Sequence, residues 1–139
     1  MSRERYLLDK SALARWPKPP VAAILDELSD RSVLAVCGAV EIEVIYSART
    51  TGEAQRAREL FRGFDRLAMP DEIWDRAAEV QIHAVRRGNH RALSMADLLI
   101  AATAERHHST VLHYDGDYDM IAAITGQPTA WVVPAGTAD

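Results

Sequence analysis

The chain has 139 residues, enough for one domain with a single sizeable core. Hydrophobic residues make up 48% and charged residues 26%, which excludes a disordered or fibrous chain. With 20 acidic against 16 basic side chains the net charge is -4, which argues against a non-specific nucleic-acid coat but leaves room for a site that gathers carboxylates around divalent cations.

Cys37 is the sole cysteine and follows the apolar run Val33-Leu34-Ala35-Val36, so a buried, inert thiol is expected and no internal disulfide. The charged N-terminus runs directly into a strand with no space for a signal peptide. No apolar run approaches the roughly 20 residues of a membrane span. A cytoplasmic protein without membrane contact is the expectation.

In chain order, Tyr6-Leu7-Leu8 predicts a buried strand that ends on Asp9. Ser11 to Trp16 is a short helical or turn segment, interrupted by Pro17-Lys18-Pro19-Pro20. Ile24, Leu25 and Leu28 recur at helical spacing, so a helix follows over 21–28, then a turn at Asp30-Arg31-Ser32 and a second strand over 33–36. Helices are predicted over 39–48, stopped by Thr50-Thr51-Gly52, and over 53–64 with Ala57, Leu60, Phe61 and Phe64 as its apolar stripe and Arg56, Arg58 and Arg62 on a solvated face. Leu67-Ala68-Met69 fits a brief edge strand. Pro70-Asp71 starts a helix through Arg87 with Ile73, Trp74, Ala77, Val80 and Ala84 on one face.

Beyond Gly88-Asn89, a linker precedes a helix from Met95 to about His107, rich enough in alanine and leucine to be deeply buried. A strand over 110–112, a short helix over 117–124, a last strand over 130–133 and a tail over 134–139 complete the chain. Strands alternating with helices call for parallel pairing and right-handed crossovers, hence a three-layer α/β/α architecture in a single domain over 1–139.

Acids cluster at the predicted strand ends. Asp9 follows the first strand, and His113-Tyr114-Asp115-Gly116-Asp117-Tyr118-Asp119 follows the strand at 110–112. In an open α/β sheet, ligands bind beyond the carboxyl ends of the strands. Each acid also has a local explanation: Asp9 as a turn former or cap, Asp115 and Asp117 as a tight turn with an N-cap, and Asp97 as the N3 acid of a capping box in Ser94-Met95-Ala96-Asp97. Glu41 and Glu43 lie roughly 200° apart around a helix, so only one can face a given pocket, and the spacing does not choose between them. Taken together, several close carboxylates raise one another's pKa unless a cation neutralises them, and an all-oxygen site suits Mg²⁺ or Mn²⁺. Such ions promote phosphodiester hydrolysis, which makes a nuclease the natural chemistry.

Four segments in order resemble the motifs of PIN domains, in particular VapC-type toxins of bacterial toxin-antitoxin pairs: Leu7 to Leu13, Glu43 to Arg49, Leu93 to Ala104 and Val111 to Asp119. The resemblance implies a PIN-like α/β fold with a central parallel sheet and a metal-binding, catalytic quartet of Asp9, Glu43, Asp97 and Asp115. It implies Asp117 as a contributor to that site or to a second metal, Ser11 as orienting Asp9 or a bound water, and Glu43 rather than Glu41 as the helical ligand. The same resemblance implies a Mg²⁺-dependent endoribonuclease (Mn²⁺ as the alternative ion) that cleaves RNA by metal-activated water, is neutralised by a VapB-like antitoxin and forms a homodimer. His113-Tyr114 departs from the Thr and basic or polar residue that many members carry.

Outside the motifs, Arg86, Arg87, His90 and Arg91 form a basic cluster that either holds RNA phosphates or solubilises the surface. Trp16, beside the prolines, is the expected exposed tryptophan and a candidate for a partner contact. Two other function classes remain in view. A phosphorylation-dependent signal receiver would want adjacent acids after the first strand and a late lysine, whereas this chain has Asp9 alone there and no lysine after Thr110. A catalytically inactive PIN-like RNA-binding module would have no reason to keep mutually repelling acids.

Overall fold

The computed structural model describes residues 4–139, and its sheet is built outward from β1 (Tyr6–Leu8). Five parallel strands, β1, β2 (Leu34–Val36), β3 (Asp65–Arg66), β4 (Thr110–His113) and β5 (Thr129–Trp131), stand in the order β3-β2-β1-β4-β5. Leu7 pairs with Ala35 on one side and Val111 on the other, and Leu8 with Leu112. Both faces of these central strands are covered, so the short runs are apolar without alternation, as buried parallel strands require. The third strand lies two residues earlier than Leu67-Ala68-Met69: Leu67, not a strand residue, plugs the core, and its amide still bonds the Val36 carbonyl.

Among the described residues, eight helical segments connect the strands: α1 (Lys10–Leu13), α2 (Pro19–Asp30), α3 (Gly38–Tyr46), α4 (Thr51–Phe61), α5 (Glu72–Arg86), a 3-10 turn over His90–Ala92, α6 (Met95–Arg106) and α7 (Asp117–Thr125). The prolines open α2 instead of delaying it. Pro19 and Pro20 occupy its first positions, where a missing amide hydrogen costs nothing. Thr50 likewise begins a helix as well as following one: its hydroxyl caps α4 by accepting from the Glu53 amide.

The chain steps from β1 to β2 to β3 in one direction and returns to β4 and β5 on the other side of β1. Right-handed crossovers then place α2 and α4 on one face and α5, α6 and α7 on the opposite face, giving three layers. α6 is the central helix. Asp97 through Ala104 are all buried, and it packs against α5, α7, β4 and α3. Two predicted stripes are narrower than the sequence suggests. Leu60 of α4 is exposed while Phe61 is buried, and Trp74 of α5 faces outward at 55% exposure although Ile73, Ala77, Val80 and Ala84 face the core. Trp16, by contrast, is half-buried against Phe64, with its indole N–H donating to Asp26.

Residues 134–139 lie against Tyr114, whose hydroxyl accepts from the Gly136 and Ala138 amides and donates to the Asp139 carboxylate at 2.7 Å. No helix among the described residues is long and apolar enough to cross a membrane.

Candidate metal centre

The point where strand order reverses lies between β1 and β4, and the carboxyl ends of these two strands open onto one cleft. They are laced together beyond the sheet: the Asp9 amide donates to the Leu112 carbonyl, and the Ser11 hydroxyl accepts from the Tyr114 amide at 2.8 Å while donating to Asp9 Oδ2 at 2.6 Å. Asp9 is the N-cap of α1, where Oδ2 also accepts from the Ser11 amide at 2.9 Å. Its Oδ1 accepts from the hydroxyl of Tyr118 at 2.7 Å. Both oxygens of the buried Asp9 are thus fixed in direction, Oδ2 by Ser11 and Oδ1 by Tyr118.

Asp97 enters from the first turn of α6. The capping box is real, with the Asp97 amide donating to Ser94 Oγ at 3.0 Å, but the reciprocal bond from the Ser94 amide to Asp97 Oδ2 is long, at 3.4 Å. The cap therefore only weakly engages the carboxylate, which is buried beside Asp9 and Asp115. Burial first, and then the charge of Asp9, pushes its pKa up to about 7, with Asp115 adding in the same direction. The local explanation of Asp97 and its presence in the site hold together.

Asp115 follows β4, and its Oδ1 accepts from the Asp117 amide at 2.9 Å. Asp117 opens α7; burial and the charge of Asp115 raise its pKa. Glu43 reaches the cleft from α3, its pKa raised by burial and then by Asp9, with Lys10 opposing. Glu41 turns to the other flank of α3, where it meets Arg66 at 2.7 Å and Arg58 at 3.7 Å. Of the two glutamates, left open by spacing alone, Glu43 is the one that lines the cleft.

Asp9, Glu43, Asp97 and Asp115 line a cleft of about 220 Å³ together with Lys10, Ser11, Ala14 and Arg15. Asp97, Asp115 and Asp117 each offer one oxygen, and these lie within 4.8 Å of one another. The donor set is entirely oxygen, and burial first, then neighbouring carboxylates, raise the pKa values of Glu43, Asp97 and Asp117. That combination fits a hard divalent cation.

Three residues of this region were not singled out from sequence as site residues. Tyr118 carries no acid or base signal, and its role depends on a hydroxyl reaching across from α7; burial beside Asp9 and Asp97 raises its pKa well above the ordinary value, so it remains a donor. Arg15 bonds the Ser11 and Ala138 carbonyls and covers the Tyr114 ring at 4.5 Å. Lys10 directly follows Asp9, the one local clue to it. His113 is buried between Tyr118 and Trp131, and its Nδ1 accepts from the Asp115 amide at 3.1 Å, so it supports the acid loop from behind. Burial lowers its pKa and keeps the ring neutral. Arg86, Arg87 and Arg91 are exposed near the α5–α6 connection, and none of them lines the cleft.

Comparison with known proteins agrees with this architecture. A PIN domain profile matches residues 6–124. Ribonuclease VapC21 of Mycobacterium tuberculosis is 45% identical over 136 residues, covering 96% of this chain and 98% of the relative. Ribonuclease VapC51 of the same organism is 41% identical, covering 97% and 98%. Among solved structures, the DNA-bound VapBC of Salmonella typhimurium superposes with a TM-score of 0.73 at 14% identity, covering 94% of this chain and 100% of that one. VapBC-1 from nontypeable Haemophilus influenzae also gives 0.73, at 16% identity, covering 91% and 97%. The chain belongs to the PIN-domain family and, within it, to the VapC ribonucleases.

The raised Asp97 pKa has a testable sign. Above the unfolded value of roughly 4 the native chain holds this proton more tightly than the unfolded chain. The resulting stability is fully present below about pH 4 and is lost as pH rises through about 7, on the order of 3 kcal/mol in metal-free protein. Asp97→Asn removes the effect, so its melting temperature relative to the parent should climb by several degrees between pH 5 and 8. His113 runs in the opposite direction but cancels in the difference. A gap between the two proteins that does not change with pH would contradict the assignment.

Proposed function

We propose that this chain is a metal-dependent endoribonuclease formed by one PIN domain over 1–139, with Asp9, Glu43, Asp97 and Asp115 as its catalytic quartet. The observation that carries the reading is the convergence of these four acids, from β1, α3, α6 and the loop after β4, on one cleft. The named ribonuclease relatives support the reaction class. Mg²⁺ is the proposed ion, with Mn²⁺ as a substitute, held by Asp97, Asp115 and Asp117 with Asp9 and Glu43 alongside. When bound, such an ion supplies the Lewis acid that makes water nucleophilic at neutral pH and offsets charge on the phosphate.

The side chains do the positioning. Ser11 and Tyr118 keep Asp9 aimed, while Asp115 is fixed through the Asp117 amide. Lys10 and Arg15 are the cations at the cleft, placed to meet a substrate phosphate amid the acids. Arg86, Arg87 and Arg91, exposed near the α5–α6 connection, are the further candidates for holding RNA phosphates outside the cleft. No protein nucleophile is required.

The partners follow from the same family. A small VapB-like antitoxin is the proposed inhibitor, supported by solved VapBC complexes that share this fold. A homodimer is proposed through the outer face of α5. Trp74, Ala78, Ile82 and Val85 form one exposed apolar stripe there, with Met95 also exposed at the start of neighbouring α6. α5 carries Glu72 and Asp75 in its first turn and His83 and Arg86 in its last, so an antiparallel two-fold pairing sets acid against base. A cytoplasmic location belongs to the same proposal.

Asp9→Asn or Asp97→Asn should abolish cleavage of RNA in Mg²⁺, with a loss of at least a hundredfold and retained folding by circular dichroism. Undiminished cleavage by either variant would refute the assignment. Ile82→Glu should convert the dimer to a monomer in sedimentation velocity; a monomeric parent, or a variant that still pairs, would remove the α5 interface.

A further inference from the structure

A second cavity lies on the far flank of α3 from the acid cleft. It has a volume of about 390 Å³ and is lined by Glu41, Arg58, Phe61, Arg62, Phe64 and Arg66. Three elements build it. Arg58 and Arg62 stand one turn apart at the end of α4, Arg66 ends β3, and Glu41 projects from α3.

Glu41 serves as the anchor. Its side chain is only 14% exposed, and it holds Arg66 at 2.7 Å and Arg58 at 3.7 Å, while those arginine side chains remain 56% and 65% exposed. Each arginine is thereby oriented by one carboxylate and keeps N–H donors free, because a guanidinium carries five. Arg62 is exposed and makes no ion pair or side-chain hydrogen bond among the described residues. Three guanidinium groups against one carboxylate leave the cavity at about +2 on a chain whose net charge is -4. Phe61 and Phe64, edge to face at 6.4 Å, supply an apolar wall.

We propose that this cavity is a nucleotide-binding subsite, in which the arginines take a phosphate and Phe64 packs against the attached base. Guanidinium groups match phosphate oxygens in paired geometry, aromatic rings accept any base, and the volume lies within the range of small-ligand pockets. The inference rests on the ribonuclease reading and deepens it. An RNA strand entering the acid cleft meets repulsion from four carboxylates and needs a cationic grip nearby. The cavity and the cleft are lined from different flanks of α3, by Glu41 and Glu43 respectively. The nucleotide comes either from the substrate strand or from the free pool. An acidic peptide would satisfy the arginines alone and would leave the aromatic wall without a planar partner.

The test measures binding of a labelled single-stranded RNA oligonucleotide by fluorescence anisotropy, on metal-free Asp97→Asn protein that cannot cleave it, with and without Arg62→Ala. Arg62 is exposed and unpaired, so the substitution should leave the melting curve unchanged. Affinity should fall about tenfold, and the slope of log affinity against log salt should shrink by about 0.7, the value for one lost phosphate contact to a single strand. Phe64→Leu should weaken binding without altering the salt slope. Competition by a nucleoside monophosphate assigns the cavity to a single nucleotide; Arg62-dependent RNA binding without such competition assigns it to the strand, and either result upholds the site. RNA affinity and salt slope indifferent to Arg62, or Arg62-dependent binding of polyglutamate but not of RNA, would overturn it. If the parent cleaves RNA while Arg62 has no effect, only the subsite fails; if the parent neither binds nor cleaves RNA, the ribonuclease reading fails with it.

Discussion

Mutual repulsion among carboxylates is the constraint around which this molecule is arranged. Asp9, Glu43, Asp97 and Asp115 share a cleft of about 220 Å³, and the pKa of Asp97, in the first turn of α6, is pushed up to about 7 by burial first and by the charge of Asp9 second. A stable α/β domain has no use for such an arrangement, because each unpaired buried charge costs free energy that apolar packing would have to offset. The acids become tolerable only when positive charge arrives, and that need links the fold to the proposed chemistry.

The scaffold resists the repulsion with directional hydrogen bonds. Ser11 is the clasp: one hydroxyl donates to Asp9 within the loop after β1 and accepts from the Tyr114 amide after β4, so separating the two loops breaks the second contact and frees the hydroxyl that orients Asp9. Tyr118 closes the other side of Asp9, and His113 supports the Asp115 loop from within the core. These contacts leave Asp9 little freedom to swing away from its neighbours. Oriented ligands lose less entropy when they bind, and groups that orient them are commonly worth 10- to 100-fold in metal affinity.

How far the sequence alone discloses this depends on whether the signal is local. The central strands are legible because Leu7, Leu8, Val111 and Leu112 are buried on both faces and must be apolar, and Asp9 and Asp115 stand where those runs end. α6 is legible for the same reason. Spacing does not separate Glu41 from Glu43, since it is Arg66 at the end of β3 and Arg58 of α4 that draw Glu41 away from the cleft. Trp74 and Trp16 exchange the expected environments because helical periodicity locates a face only to within one position, and because Phe64 and Asp26 reach Trp16 from distant parts of the chain. Tyr118 was invisible as a site residue: its hydroxyl meets a carboxylate 109 positions earlier, a contact no local pattern encodes. The arginines of α4 read as solvated surface for the same reason, since β3 and α3 complete their cavity.

The most direct test is calorimetric titration of Mn²⁺ into the protein at pH 7, in two buffers of different ionisation enthalpy. Divalent binding should release a fraction of a proton, because Asp97 must ionise to accept the cation. Both the binding and the proton release should disappear when Asp97 and Asp115 are replaced together by Asn. Absence of binding in the parent, or binding and proton release that survive the double replacement, would contradict the account.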